Sequence, residues 1–238
     1  MKDDRFWAVI PARGGSKGVP KKNIKDFCGA SLLERSIQTL RDSKCFEKII
    51  VSSDDTEILK IAELAGAIGC MRNKESESFD HVMTDTPVLE YLKSLKEGER
   101  PKFCFMIQCT APFISSKRYV EACEKLINNP NSTIFAASEA HQFLWEESQS
   151  QKDDGIFWQP INHPFHKRLG RQYIESIQVH ETGAFYGFKS ENFIKSKFRF
   201  HTYAIPLITS KIESIDINDK DDWKYAEYVY RTSLDDNK

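Results

Sequence analysis

The 238-residue chain has no apolar run long enough to span a membrane, and its opening residues, Met1-Lys-Asp-Asp-Arg5, lack the apolar core of a signal peptide. A cytoplasmic location with no membrane partner is therefore expected. It has no Cys-x-x-Cys pair either. The six cysteines (Cys28, Cys45, Cys70, Cys104, Cys109 and Cys123) are scattered, several in apolar runs, so buried thiols are expected rather than disulfides or zinc ligands. Net charge is almost absent, at −1, which speaks against a nucleic-acid partner, since such proteins carry a broad basic face. Two familiar phosphate loops are missing as well. No glycine of the first loop is followed at the Walker spacing by Gly-Lys-Ser/Thr, and Gly18 leads into Val19-Pro20 rather than into the helix that a dinucleotide fingerprint requires.

What is present is a local concentration of charge. Between Arg13 and Lys25 stand five cations (Arg13, Lys17, Lys21, Lys22, Lys25) and no acid. Three glycines in the same stretch, Gly14, Gly15 and Gly18, let backbone N–H groups approach a ligand. The loop follows the apolar run Phe6 to Ile10, which reads as a buried strand. A donor-rich cationic loop at the end of such a strand suits a polyanion, most directly a nucleoside triphosphate.

Strands and helices alternate through the first 140 residues, the pattern of a mostly parallel sheet sandwiched by helices, Rossmann-like in class. Strands are expected at Phe6–Ile10, Lys48–Val51, Ala67–Met71, Phe103–Ile107 and Thr133–Ser138. Asp54, three residues before Glu57, has the spacing of a helix cap, with a place near a bound nucleotide as the competing reading. Arg72 falls at the carboxyl end of the third of these strands, where ligands of parallel sheets bind, and can donate to a pyrimidine carbonyl or a phosphate. Gln108 falls at the end of the fourth, where its amide can both donate and accept, which suits a sugar hydroxyl or a carboxylate. Residues 140–180 lose periodicity and carry the aromatics Phe143, Trp145, Phe157, Trp158 and Phe165, a candidate subunit interface. His163 and His166 read as surface or interface histidines rather than a metal pair, because Pro164 disfavours the helix that would align them.

The run Ile10-Pro-Ala-Arg-Gly-Gly-Ser-Lys-Gly-Val-Pro-Lys-Lys-Asn23 resembles the signature of the acylneuraminate cytidylyltransferases, the CMP-sialic acid synthetase family. Ser53-Asp54-Asp55, Gln108-Cys-Thr-Ala-Pro112, Gly183-Ala-Phe-Tyr186 and Ser214-Ile-Asp216 follow in that family's order, from Phe6 to about Tyr230. The resemblance implies a single domain over 1–238 with a dimerisation lobe inserted at 140–180, forming a homodimer, or alternatively a tetramer. It implies transfer of CMP from CTP to the anomeric hydroxyl of a nonulosonate-type sugar acid (sialic, legionaminic or pseudaminic acid-like), with magnesium as cofactor and pyrophosphate as leaving group. An octulosonate substrate and a non-catalytic nucleotide-binding relative are the alternatives.

By the same resemblance, Arg13, Lys17 and Lys22 neutralise phosphates and Asp216 holds the metal. Ala12, Gly14, Gly15, Asn23 and Arg72 complete the nucleotide site, and Gln108, Arg171 and Thr182 meet the sugar acid. The chain departs from the family pattern at five points: Asn73 where Arg-Pro is usual, Cys109 and Ala111 where Gln-Pro-Thr-Ser-Pro is usual, Thr182 where Asn is usual, and Asn218 at the second acid of Ser-Ile-Asp-Ile-Asp. Asp219 is either a substitute metal ligand or the cap of the last helix.

Overall fold

The computed structural model describes residues 5–16, 18–72, 84–149, 156–166, 170 and 177–235. In chain order these form β1 (Phe6–Pro11), β2 (Asp26–Phe27), β3 (Ala30–Ser31), α1 (Leu32–Ser43), β4 (Lys48–Ser53), α2 (Thr56–Leu64), β5 (Ile68–Met71) and α3 (Asp85–Ser94). There follow β6 (Phe103–Ile107), α4 (Ser116–Asn128), β7 (Ser132–Glu139), β8 (Trp145–Gln149), β9 (Ile156–Pro160), β10 (Val179–Lys189), α5 (Ser190–Ser196), β11 (Tyr203–Ile208) and α6 (Lys220–Asp235). The chain divides into two compact units, 1–138 with 181–238, and 139–180.

The larger unit is built on a seven-stranded sheet in the order β11-β7-β10-β6-β1-β4-β5. β1 pairs in parallel with β4 on one side and β6 on the other, β4 with β5, and β11 with β7; β10 runs antiparallel to β6. The chain walks outward from β1 through β4 to β5 and then returns to β6. The order reverses at β1, and the carboxyl ends of β1, β4, β5 and β6 open on one crevice, where sheets of this kind bind ligands. Because β10 is antiparallel, Phe185 lies opposite Ile107 and the residues just before it reach the same end.

Burial on both faces explains the near-continuous apolar runs of β1 and β6. Phe6, Ala8, Ile10, Phe103, Phe105 and Ile107 pack with Leu33, Ile37 and Leu40 of α1 and Tyr119 and Leu126 of α4. Ser31 starts α1 in a reciprocal box: its hydroxyl accepts the Glu34 N–H while the Glu34 carboxylate accepts the Ser31 N–H. The two-residue turn Cys28-Gly29 between β2 and β3 has both φ angles positive, at 53° and 94°, the backbone that tight hairpins prefer. All six cysteines are free thiols.

One cap assignment changes. Asp55, not Asp54, caps α2, accepting the Glu57 N–H at 2.8 Å. Asp85, in the first turn of α3, is turned inward at 1% exposure and pairs with Arg199 through Nε–Oδ1 and Nη2–Oδ2 contacts, each of 3.1 Å. α5, β11 and the small β2–β3 ribbon lie outside the elements expected from periodicity.

The unit 139–180 contains the antiparallel hairpin β8–β9, with Trp145 opposite Pro160. Trp145, Trp158 and Phe165 are 44, 56 and 60% exposed. The His163 ring meets Phe143 and Trp145 edge-on, at 5.0 and 5.2 Å between centroids.

Candidate active site

The cationic loop leaves β1 and is fastened at four points. Ala12, fully buried, donates its N–H to the Ser52 carbonyl of β4 at 2.9 Å. Gly14 donates its N–H to Asp54 Oδ1 at 2.9 Å, so Asp54 serves the loop and leaves the helix cap to its neighbour. A Cβ on Gly14 would stand 2.7 Å from the Asp55 carboxylate, whereas one on Gly15 would meet nothing within 4 Å. Buried Asn23 donates from Nδ2 to the Arg13 carbonyl at 3.1 Å and accepts at Oδ1 from the Cys109 thiol at 3.3 Å. Lys22 Nζ donates to the Ile217 carbonyl at 2.6 Å.

That last contact joins the loop to the far end of the chain. Val19, Phe27 and Leu32 form an apolar cluster with Ile217, Trp223 and Ala226, which clamps residues 19–32 onto 217–226. Gly18 lies directly against the Asn218 carbonyl, where a side chain has no room. Ile217 in turn donates its N–H to the Thr110 carbonyl beyond β6 at 2.9 Å. The loop, the end of β6 and the 216–219 segment are thus held together by direct bonds.

Not every cation of the loop faces this junction. Lys21 pairs with Glu57 at 2.5 Å, a bond that raises the Lys21 pKa above its ordinary value, and Lys25 lies over the Trp223 ring at 4.6 Å. Arg13 is exposed and Lys22 partly buried. Lys17 and Arg171 lie outside the described residues.

Arg72, at the carboxyl end of β5, donates its backbone N–H to Ser53 and its Nη2 to the Ser52 carbonyl, the latter at 2.8 Å. Ser52 O therefore receives both Ala12 and Arg72, which puts the arginine at the root of the loop. Gln108 donates its N–H to the Ala184 carbonyl at 3.1 Å, and its Oε1 would stand 2.8 Å from a Cβ placed on Gly183, whose φ of +76° also favours glycine. Thr182 is 5% exposed, and its hydroxyl has no hydrogen-bond partner among the described residues. Burial pushes the Cys109 thiol up to about 12, which keeps it protonated.

At the acidic end, Asp216 Oδ2 accepts from Asn218 Nδ2 at 2.9 Å, while buried Oδ1 has no partner among the described residues. An orphaned carboxylate oxygen is the donor that a hard divalent cation takes, so Asp216 fits a magnesium ion. Asp219 is committed elsewhere: its Oδ1 accepts the N–H groups of Asp221 and Asp222, while Asp222 Oδ2 accepts those of Asn218 and Asp219. It caps α6, and these N–H bonds hold its pKa below the ordinary value. Among the described residues no group of three or more His, Cys, Asp and Glu side chains is gathered as a metal cage, and no helix is long and apolar enough to cross a membrane.

The Asp54–Gly14 and Cys109–Asn23 bonds were not legible in advance. The nearest signal was the placement of Ser53-Asp54-Asp55 and Gln108-Cys109 immediately after strands.

A family model described as cytidylyltransferase matches residues 7–198. The pseudaminic acid cytidylyltransferase of Campylobacter jejuni strain 81-176 is 28% identical over 228 residues, covering 94% of this chain and 96% of that one. N-acylneuraminate cytidylyltransferase A of Danio rerio is 33% identical over 190 residues, covering 80% of this chain and 43% of its own longer one. Among solved structures, CMP:2-keto-3-deoxy-manno-octonic acid synthetase complexed with CTP superposes with a TM-score of 0.70 at 12% identity, covering 96% of this chain and 99% of that one. That likeness is one of fold.

Proposed function

Since the chain belongs to the cytidylyltransferase family, we propose that it transfers CMP from CTP to the anomeric hydroxyl of a nonulosonate-type sugar acid and releases pyrophosphate. The observation that carries this reading is the junction of the cationic loop with the Asp216 segment, where Lys22 reaches the Ile217 carbonyl and Gly18 abuts Asn218. A triphosphate laid there would meet cations from one side and, from the other, the Asp216 carboxylate, which would hold a metal ion. The 28% identity over nearly the whole of a pseudaminic acid enzyme favours a nine-carbon acid, while an octulosonate has only likeness of fold behind it.

In this reading the sugar's anomeric oxygen attacks the α-phosphorus, and the bond from that phosphorus to the bridging oxygen of pyrophosphate breaks. Such a displacement asks for in-line placement and charge neutralisation more than for covalent chemistry. Arg13, Lys17 and Lys22 take up phosphate charge; each cation about 4 Å from a phosphate oxygen contributes on the order of 4 kcal/mol at an effective dielectric of 20, before desolvation is subtracted. Arg72, beside Ala12 at the loop root, faces the base. Gln108, just after β6, and Thr182, within β10, address the sugar acid, a role to which the family resemblance adds Arg171. A magnesium ion held by Asp216 supplies further neutralisation of phosphate charge when bound. Asp219 caps α6 through Oδ1, which leaves Oδ2 as the oxygen it could offer a metal, and Asn218 has an amide oxygen to offer.

The protein acts as a homodimer through residues 140–180, a reading supported by the exposed Trp145, Trp158 and Phe165. Light scattering after size exclusion tests this, and a monomeric mass at micromolar concentration would refute it. The catalytic reading is tested by pyrophosphate release with CTP, UTP, ATP or GTP against pseudaminate, legionaminate, N-acetylneuraminate and 3-deoxy-manno-octulosonate. Release is expected only with CTP and is fastest with a nine-carbon acid. Fastest release with the octulosonate would overturn the substrate class, and binding of CTP without release on any acid would overturn the catalytic assignment.

A further inference from the structure

Asn23 stands between two half-sites: one amide atom touches the phosphate loop and the other touches the segment after β6 that carries Gln108. Its side chain can be seated in two ways related by a half-turn, and only one serves the loop. The Arg13 carbonyl can only accept a hydrogen bond, so it needs Nδ2, which reaches it at 3.1 Å. That seating turns Oδ1 to the opposite side, in a buried position where an unmet carbonyl oxygen is costly. The group facing Oδ1 is the Cys109 thiol at 3.3 Å, 2% exposed, whose S–H supplies the donor that this seating requires. The backbone at Asn23 is pinned independently, since its carbonyl accepts the Leu33 N–H at 3.0 Å. The Arg13 carbonyl sets the direction of the amide, and the thiol meets the buried oxygen that this direction leaves.

From this geometry we infer that Cys109 is a positioning residue for the nucleotidyl transfer: its S–H fixes the Asn23 amide, which fixes the Arg13 carbonyl and with it the course of the cationic loop. The inference deepens the function proposed above and rests on it. Cys109 is buried and acts through Asn23. A proline at this place, as in the pattern Gln-Pro-Thr-Ser-Pro, has no side-chain donor, so the device belongs to this chain's own sequence.

The test separates hydrogen bonding from packing. Cys109→Val keeps an apolar side chain of similar bulk and loses the donor, whereas Cys109→Ser keeps a donor and shrinks the side chain. If the S–H matters, Val lowers kcat/KM for CTP by about tenfold or more, the usual size of effect when a buried acceptor loses its donor. The KM of the sugar acid then stays within about twofold, and Ser restores kcat/KM for CTP to within about threefold of the unmodified enzyme. Unchanged kcat/KM in Val, equal losses in Val and Ser, or a sugar-acid KM that moves as far as the CTP term would each overturn the inference. Should Val fail to fold in a thermal melt, Cys109→Ala against Cys109→Ser makes the same comparison. CTP affinity is measured in parallel by calorimetry with sugar acid omitted. If the unmodified protein binds CTP but releases no pyrophosphate, the catalytic reading fails, while a tenfold loss of affinity in Val with recovery in Ser still upholds the positioning role. No CTP binding by the unmodified protein overturns both.

Discussion

A methyl group on Gly18 would stand 2.2 Å from the Asn218 carbonyl oxygen, far inside van der Waals contact and against backbone that has no rotamer to yield. The two residues lie 200 positions apart in sequence and are in direct apposition at the candidate site. Gly18→Ala is therefore expected to push the cationic loop off the Asp216 segment and to lower kcat by about two decades, the scale on which small displacements of positioning groups act. Gly98→Ala, where an added Cβ meets nothing within 4 Å, is the control. Equal turnover in the two variants, measured as pyrophosphate release, would remove the junction from the mechanism.

Asn218 bears on metal affinity. Its Nδ2 donates to Asp216 Oδ2 at 2.9 Å, and Asn218→Asp would set two carboxylates in that contact. Without a cation they repel; with one they form a stronger site. The variant is expected to need several-fold less magnesium for half-maximal rate, and Asp216→Asn to need far more or to lose activity altogether. A magnesium titration of initial rates reads both, and an unchanged midpoint in either variant would dismiss Asp216 as the ligand.

Much of this was visible in sequence, for identifiable reasons. β1 and β6 are buried on both faces, so they show as unbroken apolar runs, and α1 and α4 carry one-sided stripes. The cationic loop announces itself by charge of one sign. What stayed hidden is tertiary. Asp54 and Asp55 are chemically identical and adjacent, so spacing could not say which caps α2 and which takes the Gly14 N–H. Nothing local marks Asp85 as an inward-facing acid, because its partner, Arg199, lies 114 positions away. α5 has only seven residues and β11 is largely uncovered, so neither shows a periodicity strong enough to read.

The Asp85–Arg199 pair is buried, and Arg199 also lies over the Tyr186 ring at 4.3 Å. Removing one charge strands the other. Asp85→Ala is expected to cost about 3–5 kcal/mol in urea unfolding, and Asp85→Leu combined with Arg199→Met to recover most of it. A loss below about 1 kcal/mol in the single variant would show the pair to be hydrated.

Cys45 offers a pH-dependent probe. A hydrogen bond from the Cys123 thiol stabilises its thiolate and lowers its pKa from 9.0 to about 7, while the Cys123 pKa is pushed up by the same bond and by burial. The thiolate is the form that alkylates, so the rate with iodoacetamide should rise with pH through about 7 and be nearly level by about 8.5, where an ordinary thiol is still climbing. In Cys123→Ala the rise should move up toward the ordinary thiol range. Mass spectrometry of the modified peptide locates the site, and a midpoint above about 8.5 in the unmodified protein would show that the bond does not form.

The clamp of Val19, Phe27 and Leu32 onto Ile217, Trp223 and Ala226 has a consequence for biosynthesis. On the ribosome, β1 and its loop emerge well before the residues that hold the loop in place, which lie about 200 positions further along the chain. A nascent chain can form much of the sheet and still be unable to grip its nucleotide, so competence waits for the step in which α6 docks.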